Sequence, residues 1–182
     1  MGKETEQIYD IVKKHFQSPV ASDFFNRLNE GQLTRDENIN THFIVMFAAF
    51  DPESKQVFIG HHKKSGLWLF SGGHIDKGET PDETLKREIG EEWGLEIDLQ
   101  TIGEPKLITI THIKNEHTKI ECKEHYDIWY FVPVSKQNFN PKKENLDSEF
   151  YTTDWMNIEQ ARSVITDPSN LQALLEFEKL FS

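Results

Sequence analysis

Thr80-Pro81-Asp82-Glu83 at one end and Gly94 at the other bracket a stretch that has little choice but to be helical. Threonine followed three residues on by glutamate is the reciprocal capping pattern. Proline suits the first helical position, and a glycine supplies the left-handed stop. The spacing predicts a helix from Pro81 to about Trp93, roughly three and a half turns long. Gly90 inside it costs about 1 kcal/mol relative to alanine. Leu85, Ile89 and Trp93 share one stripe of this helix, and Glu88, Glu91 and Glu92 occupy an adjacent arc. The stripe is expected to pack inward, with the carboxylates along its edge.

Glu88 pairs with Glu92 at i, i+4 and with Glu91 at i, i+3, so three negative groups lie within about 5–6 Å of one another at the Cβ level. They repel unless a cation stands between them. Oxygen-only ligands match Mg²⁺ or Mn²⁺ rather than zinc, and Mg²⁺ usually completes its shell with water and substrate phosphates. The implied substrate carries phosphate. A solvated acidic face accounts for most charge runs. It does not account for the cap, the stop and the flanking glycines coinciding with eight specified positions.

The whole run reads Gly73, five residues, Glu79, seven residues, then Arg87-Glu88-Ile89-Gly90-Glu91-Glu92-Trp93-Gly94-Leu95. This is a complete Nudix box, and on residues 73–95 the chain resembles Nudix hydrolases. The resemblance implies that Glu88, Glu91 and Glu92 are metal ligands, that the Gly73 carbonyl adds another, and that Glu79 pairs with Arg87 to orient the first glutamate. Such orienting partners are worth about 10–100-fold in metal affinity or activity. It also implies an α/β fold, the Nudix α/β/α sandwich with a curved mixed sheet between helices. Residues 1–40 are expected to form an N-terminal helical extension and residues 41–182 the Nudix hydrolase domain.

The formal net charge of −11 opposes binding to long nucleic acid, which relies on lysine and arginine displacing counterions from phosphates. No apolar run approaches the roughly 18 residues needed to span a membrane. The start, MGKETEQIYDIVKK, lacks the apolar core of a signal peptide, so a cytoplasmic protein is expected. Cys122 is the only cysteine, which excludes an intramolecular disulfide and reads as a passive thiol. Nudix-type isopentenyl diphosphate isomerases carry a catalytic cysteine before the box, whereas Cys122 follows it.

Ile8, Ile11, Val12 and Phe16, then Phe24, Phe25 and Leu28, predict two helices before residue 31. The apolar run His42 to Phe50 predicts a buried central strand, and Asp51-Pro52-Glu53-Ser54 turns it into a second strand, Gln56 to His61. Leu67 to Phe70 is expected as a short strand leading through Ser71-Gly72-Gly73 to the box. The basic turn residues Lys63 and Lys64 are candidates for substrate phosphates, with a solvated turn as the alternative.

Strands are also expected over Leu107 to Ile113 and His125 to Val134, separated by the polar stretch Lys114 to Glu124. On the second of these His125, Asp127 and Trp129 share a face that reads either as a pocket lining or as an exposed sheet edge. Residues 135–149 show little periodicity and are expected as a loop. Many Nudix enzymes place a further acid in such a loop, and Glu144, Asp147 and Glu149 qualify, Glu149 first because it precedes the strand-like Phe150 to Trp155. An amphipathic helix with Leu171, Leu174, Leu175 and Phe181 closes the chain.

The resemblance implies a metal-dependent hydrolase that cleaves the pyrophosphate bond of a nucleoside diphosphate linked to another moiety, with a nucleoside triphosphate or related small nucleotide foremost. Adenosine diphosphate-ribose hydrolases of the family often carry a proline past the box where Ile110 and Thr111 stand here. Diadenosine polyphosphate hydrolases often carry a tyrosine where this chain has His112 and Ile113. A non-catalytic nucleotide-sensing module is the alternative, and a homodimer is considered because partner loops complete the pocket in several branches.

Overall fold

The computed structural model describes residues 2–113 and 122–182, so most of the stretch from Lys114 to Glu124 lies outside the described residues. The elements are α1 (Lys3–Lys14), α2 (Ala21–Glu30), β1 (Thr41–Asp51), β2 (Gln56–His62), β3 (Trp68–Leu69), β4 (Ser71–His74), α3 (Pro81–Glu88), a π-helical segment (Ile89–Trp93), α4 (Leu99–Ile102), β5 (Leu107–His112), β6 (Glu124–Pro133), α5 (Lys143–Glu149), β7 (Phe150–Asn157), α6 (Ile158–Val164) and α7 (Pro168–Phe181). The fold is mixed α/β, with a curved, unclosed mixed sheet and helices.

Strands follow the order β3-β2-β1-β6-β5, with β4 also on β1 and β7 also on β2. These strand pairs run antiparallel: Phe50 faces Val57, His61 faces Trp68, Ile59 faces Asp154 and Ile108 faces Ile128. The Glu124 amide donates to the Asn40 carbonyl and the Val134 amide to the Phe50 carbonyl, both at an offset that makes β1 and β6 parallel. Strand β1 is thus paired along both edges, by β2 and by β6, and sits centrally in the sheet. Its apolar run is buried from His42 to Asp51.

The chain divides into two compact units. The first comprises the described residues of Met1–Met46, Gly72–Leu85 and Pro105–Trp129. Its core joins Phe24 edge-on to Phe43 and Tyr126 at 5.6 and 5.1 Å between ring centroids, with Ile8 and Val12 of α1 fully buried. The helices α1 and α2 are tied into this unit. Lys3 Nζ reaches Glu83 Oε1 at 2.6 Å, Gln7 Nε2 donates to Asp82, and the His15 ring meets the Pro105 carbonyl at 3.0 Å.

The second unit comprises Phe47–Ser71, Lys86–Glu104 and Tyr130–Ser182. Its core is aromatic: Phe47 and Phe139 meet Trp93 edge-on at 4.9 and 5.1 Å, and Phe131 stacks on Phe177 at 4.1 Å.

Three expectations need correction. The helix over Pro81 to Trp93 is α-helical only to Glu88 and continues as a π turn over Ile89–Trp93. Residues 143–149 are helix α5, not loop. Leu146 is the only apolar residue in that helix, so it carries no periodic signal, and its order comes from docking. Strand β6 lies between β1 and β5 and is no sheet edge. Helix α6 had a readable signal in Asn157 and Gln160, which form a reciprocal cap.

Candidate active site

The box begins where β4 ends. A Cβ on Gly72 would stand 2.9 Å from the Val45 carbonyl and 2.4 Å from Met46 Sδ, so only glycine lets β4 lie this close to β1. Gly78 at φ 84° then turns the chain back. Glu79 Oε2 accepts from Thr84 Oγ1 at 3.0 Å and from the Asp76 amide at 3.4 Å, which ties the turn to the start of α3. The cap expected from sequence is present, with the Thr80 amide donating to Glu83 at 2.8 Å and the Glu83 amide to Thr80 Oγ1 at 3.3 Å.

One turn further on, Arg87 gathers the acids. Its Nη1 lies 2.6 Å from Glu88 Oε1 and 3.4 Å from Glu91 Oε2. Glu88 and Glu92 are buried, at 9% and 8% exposure, whereas the Glu91 side chain is 62% exposed. Trp93, on the buried stripe, donates its indole N–H to Ser71 Oγ at 3.0 Å. Gly94, at φ 64°, ends the helix as expected, and its position opposite the Lys142 side chain leaves no room for a Cβ.

Burying carboxylates costs several kcal/mol each unless positive charge offsets it. One guanidinium against three glutamates leaves the group net negative, and its donors are all oxygen. Glu88, Glu91 and Glu92 could together hold a hard divalent cation.

Lys63 and Lys64 are engaged with the segment at the end of α5. Lys63 donates to the Asp147 carbonyl and lies 5.9 Å from the Tyr151 ring centroid, and Lys64 Nζ is 3.0 Å from Glu149 Oε2. His62 Nε2 is 3.6 Å from the same Glu149 oxygen. Burial is the main cause holding the His62 ring below its ordinary value, with Glu149 opposing it. Asp147 also pairs with Lys143, and Glu144 sits in the first turn of α5.

On β6, Asp127 is buried and accepts from Thr109 Oγ1 at 2.7 Å and Thr111 Oγ1 at 2.6 Å. Trp129 is fully buried and donates to Thr109 Oγ1 at 2.8 Å. These two side chains form a buried polar network with β5. His125 lies instead against His42, with ring centroids 4.9 Å apart. Sequence reasoning missed Asn145, whose amide donates to the Glu91 carbonyl at 2.7 Å.

The RNA pyrophosphohydrolase of Sulfurovum sp. (strain NBC37-1) is 35% identical over 78 residues, 42% of this chain and 49% of that protein. The oxidized purine nucleoside triphosphate hydrolase of Mus musculus is 28% identical over 93 residues, 43% of this chain and 60% of that protein. The chain thus spans about half the length of the curated relatives it matches. In fold it is similar to the E. coli dihydroneopterin triphosphate pyrophosphohydrolase, with a TM-score of 0.61 at 14% identity over 74% of this chain and 93% of that one. The NUDIX domain model matches residues 41–176, three-quarters of the sequence, and the chain belongs to that family.

Proposed function

We propose that this protein is a metal-dependent hydrolase that cleaves the pyrophosphate bond of a nucleoside diphosphate linked to another moiety, with a nucleoside triphosphate or related small nucleotide as the foremost substrate. The observation that carries the reading is the placement of Arg87 against Glu88 and Glu91 beside a second buried acid, Glu92. The names of the two curated relatives, a pyrophosphohydrolase and a nucleoside triphosphate hydrolase, support the bond class.

In this reading Glu88, Glu91 and Glu92, with the Gly73 carbonyl, hold Mg²⁺ or Mn²⁺. What such a cation supplies when bound is polarisation of phosphoryl oxygens and a lower pKa for an attacking water. Arg87 fixes the Glu88 carboxylate, and Glu79 orients Arg87. Either Glu91, the most exposed of the three acids, or a carboxylate outside the ligand set takes the proton from water, with Glu149 the further acid–base candidate. Lys63 and Lys64 are the proposed substrate-side residues that could meet phosphate, and His125, Asp127 and Trp129 are proposed to act on the substrate side only through their support of β6.

The net charge of −11 favours a small nucleotide over long nucleic acid. Among the described residues no helix is long and apolar enough to cross a membrane, and the proposed setting is the cytoplasm, as monomer or homodimer. The alternative, a nucleotide-sensing module without turnover, is disfavoured by the retention of every box glutamate.

Phosphate and pyrophosphate release from a panel of nucleoside triphosphates, oxidised nucleotides, nucleotide sugars and 5′-triphosphorylated oligonucleotides, with Mg²⁺ and with chelator, tests the reading. Turnover with Mg²⁺ that chelator abolishes supports hydrolysis. Tight nucleotide binding without turnover supports the sensing module.

A further inference from the structure

His42, His74, Cys122 and His125 come from different parts of the sequence: the start of β1, the end of β4, the residues leading into β6, and β6 itself. All belong to the first compact unit. One ligand atom from each lies within 4.8 Å of those of the other three. The ring centroids of His42 and His74 are 4.9 Å apart, those of His42 and His125 4.9 Å, and those of His74 and His125 5.4 Å. Cys122 Sγ stands 3.7 Å from His42 Nε2.

Three imidazoles packed against one another, with His42 buried and His74 and His125 half-buried, cannot all carry charge. Burial, and then the neighbouring His42 and His74, holds His125 down to about 3, and burial also lowers His42. A neutral imidazole is the form that ligates metals. His42 Nδ1 lies 3.0 Å from the Asn38 carbonyl. A carbonyl only accepts, so Nδ1 carries the hydrogen and the Nε2 lone pair faces Cys122. A ligating imidazole is normally fixed through its other nitrogen in this way. His125 Nε2 is buried and meets no hydrogen-bond partner among the described residues. A buried polar atom left so is unfavourable, and a metal ion held there would satisfy it.

We propose that His42, His74, Cys122 and His125 form a tetrahedral Zn²⁺ site that shares no side chain with the acidic box. Nitrogen and sulfur donors favour zinc over the hard Mg²⁺ that suits the glutamates. With zinc–ligand bonds of about 2.0–2.3 Å, tetrahedral geometry sets ligand atoms roughly 3.3–3.6 Å apart. The sulfur of Cys122 is already near that spacing from His42, and the widest pair closes by about 1 Å. Binding converts the Cys122 thiol to thiolate and releases its proton to solvent. The site joins β1, β4 and β6, and because His74 directly follows Gly73 it also pins the backbone on which the proposed carbonyl ligand sits.

The test uses the full chain without a histidine tag. After exhaustive dialysis, elemental analysis is expected to find about one zinc per chain. Reloading the chelator-stripped protein with Co²⁺ is expected to give the intense visible bands of tetrahedral cobalt and a near-ultraviolet sulfur-to-cobalt charge-transfer band. Cys122→Ser should lose the charge-transfer band, and His125→Gln should lose stoichiometric zinc. The double variant Glu88→Gln/Glu92→Gln, which disables the acidic centre, should keep both. Weak octahedral-type cobalt bands without a sulfur band in the wild type overturn the proposal. Zinc retained at wild-type level in both ligand variants overturns it too, as does zinc lost in the glutamate double variant. If Cys122→Ser does not fold, the wild-type cobalt spectrum alone decides.

Discussion

The side-chain amide of Asn145 donates to the backbone carbonyl of Glu91 at 2.7 Å and, less directly, to that of Gly90 at 3.4 Å. The Lys142 amide does the same for the Trp93 carbonyl at 2.8 Å. Carbonyls in the last turn of a helix lack internal donors, and the start of α5 supplies them to the π segment. Removing the amide with Asn145→Ala is expected to cost about 0.5–1.5 kcal/mol. Asn145→Asp, which loses the donor and sets a negative charge against a carbonyl, should cost more. Urea midpoints of the two variants check this, and midpoints equal to the wild type would show that the contact contributes nothing.

Glu88→Gln and Glu92→Gln keep volume while removing buried charge, so the fold should survive. If both acids hold the cation, each variant loses several kcal/mol of transition-state stabilisation, roughly a thousandfold or more in kcat. Glu91→Gln should lower kcat and metal affinity together if Glu91 is a ligand, and kcat alone if its part is to take the proton. Rapid-quench turnover beside Mn²⁺ titration separates these roles. Near-wild-type kcat in all three would refute the assignment.

How much of this was legible beforehand differs by element. The unbroken apolar run of β1 and the cap and stop of the box helix each have one local solution, and the structure adopts both. Helix α5 and the π turn were invisible because each depends on the other: a sequence with a single leucine is helical only where Asn145 and Lys142 find carbonyls to bond. The acids were readable from i, i+3 and i, i+4 spacing, but which of them is buried was not, since that depends on residues distant in sequence. Asp127 and Trp129 looked like a lining on alternation alone. With β5 beside β6, Thr109 bonds both, and the odd polar face becomes a buried network. The histidines converge from separate strands, and no spacing rule could have brought them together.

Glu83 gives the box helix a pH signature. The hydrogen bond from Lys3, then those from the Thr80 amide and hydroxyl, hold its carboxyl down from 4.5 to about 2. A depressed carboxylate pKa means that the unfolded chain binds the proton first. The contribution is therefore complete above about 4.5 and disappears as pH falls toward about 2. Glu83→Gln should be less stable than the wild type at neutral pH, and the gap should narrow steadily across that window. Thermal unfolding of both proteins at a series of pH values measures it, and a gap independent of pH would show that the charge plays no part.

Trp93 anchors the helix that carries the acids. Trp93→Phe keeps an aromatic ring between Phe47 and Phe139 but removes the donor to the buried Ser71 hydroxyl, a loss of about 1–3 kcal/mol. Trp93→Ala empties the site and should cost about 3–5 kcal/mol. Because Glu92 precedes this anchor, the alanine variant should also weaken metal binding, visible as a raised Mg²⁺ requirement at temperatures where the protein is still folded. Folded protein with an unchanged requirement would show that the acids are held independently of the indole.

Lys64 separates a surface ion pair from a substrate contact. Its ammonium lies 3.0 Å from Glu149, and its side chain is 70% exposed. Solvent screening limits such a pair to about 0–1 kcal/mol, so Lys64→Ala should leave the unfolding midpoint nearly unchanged. A lysine that meets a phosphate of the substrate gives a different result, because its loss weakens ground-state binding and raises KM at nearly constant kcat. Glu149→Gln provides the contrast. As an acid–base group it should lower kcat, whereas as a mere partner of Lys64 and His62 it should change neither constant. Steady-state kinetics of the two single variants and the double variant tell these apart: a KM effect confined to Lys64 and a kcat effect confined to Glu149 place the basic turn and α5 at the substrate. Unchanged constants throughout reduce both residues to a solvated ion pair.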